Sequence, residues 1–218
     1  MSDRNFVMHE SSEIMKRVFD IIFSICGLML LSPLLISVAV VIKVNDRGPV
    51  FYRGLRVGLH GKLFRMIKFR TMVVDAEKVG GSSTSSDDPR ITNVGKFLRK
   101  YKLDELPQLM NVLKGDMSIV GPRPEVKYYV DMFTEEEKAI LSVRPGITDW
   151  ASLWNPDEGE ILKGSPDPDR DYLEKIRPEK IRFQLKYVRE QSFLTDMKII
   201  FQTLWVIFKR DKHAGVNS

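Results

Sequence analysis

The chain has 218 residues, which suits one domain with a single core, or a smaller domain joined to a membrane anchor. Its formal charge of +5 is spread along the sequence instead of being concentrated in a basic stripe, so we expect no nucleic-acid partner. The single cysteine, Cys26, and three scattered histidines exclude a disulfide framework and argue against a histidine-based triad or zinc site. Any catalysis is therefore expected from carboxylates, lysines and arginines, with or without a hard cation.

An apolar segment near the N-terminus is the strongest single feature. Residues 1–15 form a polar leader, after which no charged residue occurs between Ile21 and Ile42. As a helix, this run would be about 33 Å long, the thickness of a bilayer core. It is too long for a signal peptide, and no small-residue cleavage site follows it. A buried core helix is the alternative to a membrane helix.

Pro33 lies in the middle of this run and qualifies the prediction. Proline removes a backbone hydrogen bond, at a cost of about 3 kcal/mol in a helix interior, and the Ser32 hydroxyl can satisfy a freed carbonyl. Basic residues flank the run on both sides, so the positive-inside rule selects no orientation. The residues are compatible both with a helix that spans the membrane and with one that bends at Ser32-Pro33 and returns to the same side.

Short β-like runs follow the apolar segment. Residues 46–79 alternate apolar stretches with glycines, which predicts strands near 49–52 and 63–67. A tight turn is expected at His60-Gly61, between these two strands.

Helical signals return after a loop. The composition of residues 80–89 is typical of a flexible surface loop. Helices are predicted at 92–102 and again from Glu105, with Pro107 tolerated in the first turn of the second. Gly115 is expected to end that second helix.

The last third of the chain has one long element. Residues 134–137 are typical of a helix N-cap with acids in the first turn, and residues 155–170 are expected to be loop. Residues 193–208 predict an amphipathic helix, for which an interfacial position on a membrane and a core-facing position are both open. Its apolar face comprises Phe193, Met197, Ile200, Phe201, Leu204 and Phe208, with Trp205 adjacent.

Two neighbouring acids, Asp104 and Glu105, are the candidate catalytic pair. They stand between two helical signals, where unpaired N–H groups and the helix dipole attract an anion such as a phosphate. An aspartate there can attack phosphorus while a divalent cation and arginines take up charge. The alternative is that the two acids only complete a helix N-terminus.

Five basic residues in motif-like or proline-bounded stretches are candidate phosphate ligands. Arg123 lies between Pro122 and Pro124, which present it from a stiff backbone, and an arginine fork matches phosphate oxygens. Taken singly, each of the five would be a solvated surface charge, but as a set around one acidic pair they suggest a diphosphate site. A further Asp167-Pro168-Asp169 sequence resembles a metal-binding motif. The five basic residues are Lys68, Arg70, Arg99, Arg123 and Arg144.

Taken together, the motifs resemble the bacterial sugar transferases, also called monotopic phosphoglycosyl transferases or polyprenyl-phosphate glycosyl-1-phosphate transferases. The matching stretches appear in the family's order and cover roughly residues 14–210. They are Lys16-Arg17-Val18-Phe19-Asp20, Ser32-Pro33, Gly48-Pro49-Val50-Phe51, Lys68-Phe69-Arg70-Thr71-Met72, Leu103-Asp104-Glu105-Leu106-Pro107-Gln108, Asn111-Val112-Leu113-Lys114-Gly115-Asp116-Met117-Ser118, Val120-Gly121-Pro122-Arg123-Pro124 and Val143-Arg144-Pro145-Gly146-Ile147-Thr148.

The resemblance implies transfer of a sugar 1-phosphate from a UDP-sugar to a polyprenyl (undecaprenyl) phosphate, with release of UMP. Asp104 carries over as the nucleophile that becomes a phosphosugar aspartate. Glu105 carries over to proton removal or to the metal site, and the resemblance implies a Mg²⁺ cofactor held by Asp104 and Glu105. By position, Arg99, Arg123 and Arg144 correspond to phosphate-binding residues, with Lys68 and Arg70 as further candidates.

The resemblance also implies a place for the protein. It favours the re-entrant form of the helix, broken at Ser32-Pro33, and thus a monotopic protein on the cytoplasmic face of the bacterial inner membrane, in contact with membrane lipids. The stretch 149–155 departs from the family's usual continuation after Thr148, which leaves the sugar unassigned. We expect the minimal catalytic form without additional N-terminal membrane helices, and a homodimer is compatible with the sequence.

The expected architecture is an α/β enzyme, mostly helical with a small sheet and amphipathic surface helices. A membrane-anchored nucleotide-sugar phosphohydrolase and a catalytically silent docking subunit are the two alternative functions. The expected organisation is a leader (1–15), a re-entrant membrane helix (16–45), a cytoplasmic catalytic domain (46–190), an interfacial helix (191–210) and a tail (211–218).

Overall fold

The computed structural model describes the backbone of residues 2–214 and the side chains of residues 13–206. The expected mostly helical fold with little strand is confirmed. Its helices are α1 (Ser2–Asp46), α2 (Asn93–Lys100), α3 (Leu109–Lys114), α4 (Lys127–Val130), α5 (Trp150–Trp154), α6 (Glu158–Ile161), α7 (Pro168–Asp171), α8 (Arg177–Glu190) and α9 (Phe193–Ala214). Its strands are β1 (Phe51–Val57), β2 (Leu63–Phe69), β3 (Ser118–Val120) and β4 (Gly146–Thr148). Short 3₁₀ turns cover Leu59–Gly61, Ala76–Lys78, Leu103–Gln108 and Glu137–Ser142, and a π-helical turn covers Tyr172–Ile176.

The strands form two small pairs. β1 and β2 are an antiparallel hairpin in the register Phe51–Phe69 to Val57–Leu63. The predicted tight turn is confirmed, since His60 and Gly61 both have positive φ (54° and 76°). β3 and β4 pair in parallel, and an added Cβ at Gly146 would lie 2.0 Å from the amide nitrogen of Gly121, so this close approach requires glycine.

Helix α1 runs through Pro33 without interruption of its helical assignment. Pro33 cannot donate to the carbonyl of Met29, and the Ser32 hydroxyl donates to that carbonyl instead at 2.8 Å, as the sequence predicted. Residues Glu13–Asp46 are long and apolar enough to cross a membrane, and only 11% of the most apolar window is buried in the protein. The helix begins at Ser2, so the predicted polar leader joins α1 instead of preceding it.

Polar residues at the start of the apolar run attach α1 to β3 and α9. The Lys16 ammonium donates to the Val120 carbonyl at 2.9 Å and pairs with Asp196 of α9 at 2.5 Å. The Asp20 carboxylate accepts the Ile119 amide at 2.9 Å. The membrane-type helix therefore docks directly on β3.

Two apolar clusters of the core join elements that are distant along the chain. One joins α3, β3, α8 and α9, with Val112, Met117, Tyr187 and Ile199 fully buried. The other packs the second half of α1 against the hairpin and α2, and contains Val38, Ile42, Phe69 and Leu98.

Helix α9 has one face in the core and one face outside it. Ile199 and Asp196 are buried, and Ile200 packs against the core. The exposed side carries Leu194, Phe201, Leu204 and Trp205, whose exposures range from 44% to 80%. The predicted apolar face is therefore split between the core side and the exposed side of the helix. Phe193 and Met197 are half-buried, and Phe208 lies outside the described side chains.

Most of the other predicted elements are confirmed. Thr92 caps α2, and Gly115 ends α3 in the left-handed conformation (φ 89°). Thr134 and Glu137 exchange the hydrogen bonds of a capping box.

The other predicted elements differ in detail. The helix expected from Glu105 begins as a 3₁₀ turn, Leu103–Gln108, which continues into α3. The expectation that residues 155–170 are entirely loop is wrong, because α6 and α7 form there. Asp167 caps α7 by accepting the Arg170 amide, and Pro168 stands in its first turn, both typical helix-start signals.

Candidate active site

The acidic pair lies in a tight turn between α2 and α3. Lys102 takes a left-handed conformation (φ 56°) and starts the 3₁₀ turn that contains both acids. This turn packs against β2, which carries Lys68. The Asp104 side chain is only 6% exposed, so the carboxylate is held against the protein.

Glu105 is the centre of a charge cluster. Arg123 donates to both of its carboxylate oxygens, with an Nη1–Oε2 distance of 3.0 Å, and the Lys68 ammonium lies 2.9 Å from Oε1. Burial raises the pKa of Glu105, but Arg123 and Lys68 outweigh it and hold that pKa well below its usual range. Glu105 raises the pKa of Arg123 in turn. Glu105 is therefore a fixed anion at neutral pH.

Asp104 differs from its neighbour in both partners and charge environment. Among the residues that the structure describes, its side chain has no hydrogen-bond partner. Burial raises its pKa and Lys68 opposes that effect. The pair thus contains one carboxylate that is fully engaged and one that is free to react or to bind a ligand.

Arg99 extends the cationic surroundings of Asp104. Its Nε donates to the Thr71 hydroxyl at 2.9 Å, which leaves the rest of the guanidinium for other partners. Burial lowers the pKa of Arg99, an effect that Asp104 opposes by its charge. The charge of Asp104 therefore acts on Arg99 more strongly than that of Glu105 does, whereas Arg123 is hydrogen-bonded to Glu105.

Two of the predicted phosphate ligands have other partners. Arg70 is buried and pairs with Asp46 at the end of α1. Arg144 donates to the Gly115 carbonyl at 3.3 Å and lies 3.5 Å from Glu13. The structure thus joins Lys68, Glu105 and Arg123 directly, whereas the phosphate-binding roles of Arg70 and Arg144 stay predictions.

In the Asp167-Pro168-Asp169 sequence, which resembles a metal-binding motif, Asp169 accepts hydrogen bonds from other parts of the protein. Asp169 accepts the amides of Ser82 and Ser83 and the Tyr129 hydroxyl, at 2.7 to 3.2 Å. It therefore fastens the loop 80–89 to the domain. This loop is irregular, as predicted, but it is held in place by defined hydrogen bonds.

Sequence reasoning missed several buried charges around the site. Asp149 is fully buried and accepts the Arg123 amide, and Lys180 is buried between Glu125 and Glu158 at 2.6 and 2.8 Å. Asp149 is also the N-cap of α5, and the Asp149-x-x-Ser152 spacing was a signal for it. Lys180 lies far away along the chain, so no local pattern could have paired it.

A buried carboxylate near arginines and a lysine, in a domain fixed to a long apolar helix, is the arrangement that a membrane-type enzyme acting on phosphorylated compounds would need. The comparison with known families makes this specific. The chain belongs to the bacterial sugar transferase family, whose family model matches residues 11–210.

Curated relatives give the same assignment. The chain is 40% identical over 198 residues to the "UDP-glucose:undecaprenyl-phosphate glucose-1-phosphate transferase" of Escherichia coli K12, covering 89% of this chain and 40% of that protein. It is 38% identical to the "Undecaprenyl-phosphate galactose phosphotransferase" of Salmonella typhimurium, covering 95% and 43%. It is 36% identical to the "Exopolysaccharide production protein ExoY" of Sinorhizobium fredii, covering 88% and 84%. The chain therefore spans less than half the length of the first two relatives.

Proposed function

We propose that this protein transfers a sugar 1-phosphate from a UDP-sugar to undecaprenyl phosphate and releases UMP, at the first membrane step of bacterial glycoconjugate or exopolysaccharide synthesis. Family membership and the activities for which the relatives are named support the substrates. The single observation that best supports this site is the difference between the environments of the two acidic residues. The Glu105 carboxylate is bound by Arg123 and Lys68, whereas the adjacent buried Asp104 side chain accepts no hydrogen bond from any residue that the structure describes.

Asp104 is the proposed nucleophile. Its carboxylate oxygen attacks the phosphorus next to the sugar, the bond between that phosphorus and the bridging oxygen breaks, and UMP leaves with the bridging oxygen. In the second step an oxygen of undecaprenyl phosphate attacks the same phosphorus, and Asp104 leaves as a carboxylate. Arg123, Lys68 and Arg99 would compensate the negative charge that accumulates on the phosphate oxygens.

Mg²⁺ is the proposed cofactor. Among the described residues there is no group of three or more acidic, histidine or cysteine side chains that would form a metal cage. Magnesium, however, is commonly held by one or two carboxylates together with substrate phosphates. The free Asp104 carboxylate fits such a site, with Glu105 beside it as the second candidate ligand. When bound, the cation would supply positive charge next to the donor diphosphate.

The proposed location is the cytoplasmic face of the inner membrane, with α1 as a monotopic, re-entrant anchor. The long apolar helix and its largely unburied surface support a membrane position, and the Ser32-Pro33 pair supports a bend. The exposed aromatic face of α9 would lie in the interface between lipid and water.

Intact-protein mass spectrometry tests this function most directly. The purified protein is mixed with Mg²⁺ and a panel of UDP-sugars, without lipid acceptor, and quenched rapidly. We expect a mass increase of one sugar phosphate, absent in Asp104→Asn and retained in Asp131→Asn, an exposed surface control. The sugar that gives the adduct also identifies the donor.

Measuring UMP release with and without the lipid acceptor distinguishes the proposed transferase from the alternative functions. Strict dependence of UMP turnover on undecaprenyl phosphate excludes a phosphohydrolase. A protein that forms no adduct and releases no UMP with any UDP-sugar, with or without lipid, overturns the proposed function.

A further inference from the structure

The segment Pro122-Arg123-Pro124 has a single backbone donor. Proline has no N–H group, so the Arg123 amide is the only one in these three residues. It donates to Oδ2 of Asp149 at 3.3 Å. The carbonyl of Arg123 accepts Nε2 of Gln184 at 3.2 Å. The peptide groups on both sides of this arginine are therefore held by side chains of distant elements.

Asp149 divides its two oxygens between two tasks. Oδ1 accepts both the amide and the hydroxyl of Ser152 at 2.7 Å, which caps α5. Oδ2 is left for the Arg123 amide. The Asp149 side chain has no exposed surface. Burial of a carboxylate is costly unless its oxygens accept hydrogen bonds, and both oxygens of Asp149 do. A helix cap alone does not require this burial, because α5 is a short helix near the surface with Trp154 exposed.

We propose that Asp149 is a positioning residue for Arg123. By fixing the Arg123 backbone, it holds the guanidinium where it engages both oxygens of Glu105 and where the donor diphosphate would bind. This inference rests on the proposed function of the site.

Kinetics of UMP release with undecaprenyl phosphate test the proposal. Asp149→Ala is expected to lower kcat/KM on the order of 10-fold or more, because displacement of a binding group by a fraction of an ångström is costly. Ser152→Ala is the matched control, since it removes a partner of Oδ1 and leaves Oδ2 and Arg123 in place. We expect kcat/KM of that variant within about 2-fold of wild type.

A double-mutant cycle separates positioning from general damage. If Asp149 acts through Arg123, then Asp149→Ala costs little in an Arg123→Ala background. Equal losses in both backgrounds overturn the inference. If Asp149→Ala does not fold, Asp149→Asn keeps the shape and one acceptor oxygen, and the same cycle is measured with it.

The outcomes also distinguish the inference from the proposed function. Wild-type kinetics in Arg123→Ala would remove Arg123 from the site and contradict the proposed arrangement. Impaired kinetics in Arg123→Ala together with wild-type kinetics in Asp149→Ala would overturn only the role of Asp149.

Discussion

Arg123 donates hydrogen bonds to both carboxylate oxygens of Glu105, whereas the neighbouring Asp104 side chain has no hydrogen-bond partner within the described part of the chain. Adjacent side chains on a 3₁₀ turn point about 120° apart, so two neighbouring acids can face different surroundings. The consequence is chemical asymmetry within the pair. Glu105 holds the two cations, and Asp104 is the acid that the proposed function assigns to attack on phosphorus.

Arg123→Lys is expected to impair donor use although it keeps the positive charge. A lysine ammonium cannot donate in parallel to two oxygens, so both Glu105 and the donor diphosphate would be held less well. We expect kcat/KM for the UDP-sugar to fall on the order of 10-fold or more. UMP release over a range of donor concentrations measures this, with Arg182→Lys on the surface as control. Unchanged kinetics would contradict a bidentate role.

Pro33→Ala is expected to straighten α1 toward a membrane-spanning form. Alanine restores the amide that can donate to the Met29 carbonyl, which Ser32 now satisfies. A cysteine placed at residue 2 in a Cys26→Ser background then reports the side of the membrane. We expect labelling from the cytoplasmic side with Pro33 and loss of that labelling in the variant. A residue 2 that stays cytoplasmic after the substitution would count against this interpretation.

Trp205 is expected to contact lipid. It is 71% exposed on the same face of α9 as Phe201, which is 70% exposed, and tryptophan favours the membrane interface. In a Trp150→Phe, Trp154→Phe background, brominated lipids in vesicles should quench the remaining fluorescence. Phe201→Ser should weaken the quenching, whereas Gln202→Ser on the same helix should not. Fluorescence that brominated lipids leave unchanged would place this face in water or against another protein.

Stability is expected to depend on pH through Asp88. Hydrogen bonds from Arg90 hold the pKa of this buried carboxyl below its usual 3.8. A depressed folded-state pKa stabilises the fold above the unfolded-state pKa, and the contribution is lost as pH falls through the folded value.

Thermal unfolding in detergent checks this contribution. At neutral pH, Asp88→Asn should lower Tm by about 2–4 °C, the shift for roughly 1 kcal/mol in a domain of this size. The difference from wild type should shrink once the pH is below about 4. A difference that persists unchanged in acid would assign the loss to packing instead of charge.

Local features were predictable from the sequence because they depend on neighbouring residues. The turn at Gly61, the cap at Thr92, the helix end at Gly115 and the hydroxyl that serves Met29 all follow from short-range chemistry. The pairing of Lys68 and Arg123 around one acid follows from tertiary packing, so the sequence could name the members but not the geometry.

Long-range buried charges were the part that sequence reasoning missed. Lys180 meets Glu125 across 55 positions of the chain, and Arg70 turns to Asp46 at the end of α1. The sequence contains many acidic residues that could pair with each of these basic residues, and only the packing of the folded chain determines which pairs form. The same limit explains why Arg144 was grouped with the phosphate ligands although its observed partners are Gly115 and Glu13.

Under the proposed function, the attachment of α1 to β3 bears on how a water-soluble donor and a lipid-borne acceptor would meet at Asp104. Asp20 immediately precedes the uncharged run and holds the Ile119 amide, and only three residues separate Ile119 from Arg123. No flexible tether intervenes between the anchor and the cationic site. If the proposed function holds, the contact of α1 with β3 would fix the height of the site above the bilayer, so an acceptor whose tail remains in lipid would need to lift only its headgroup.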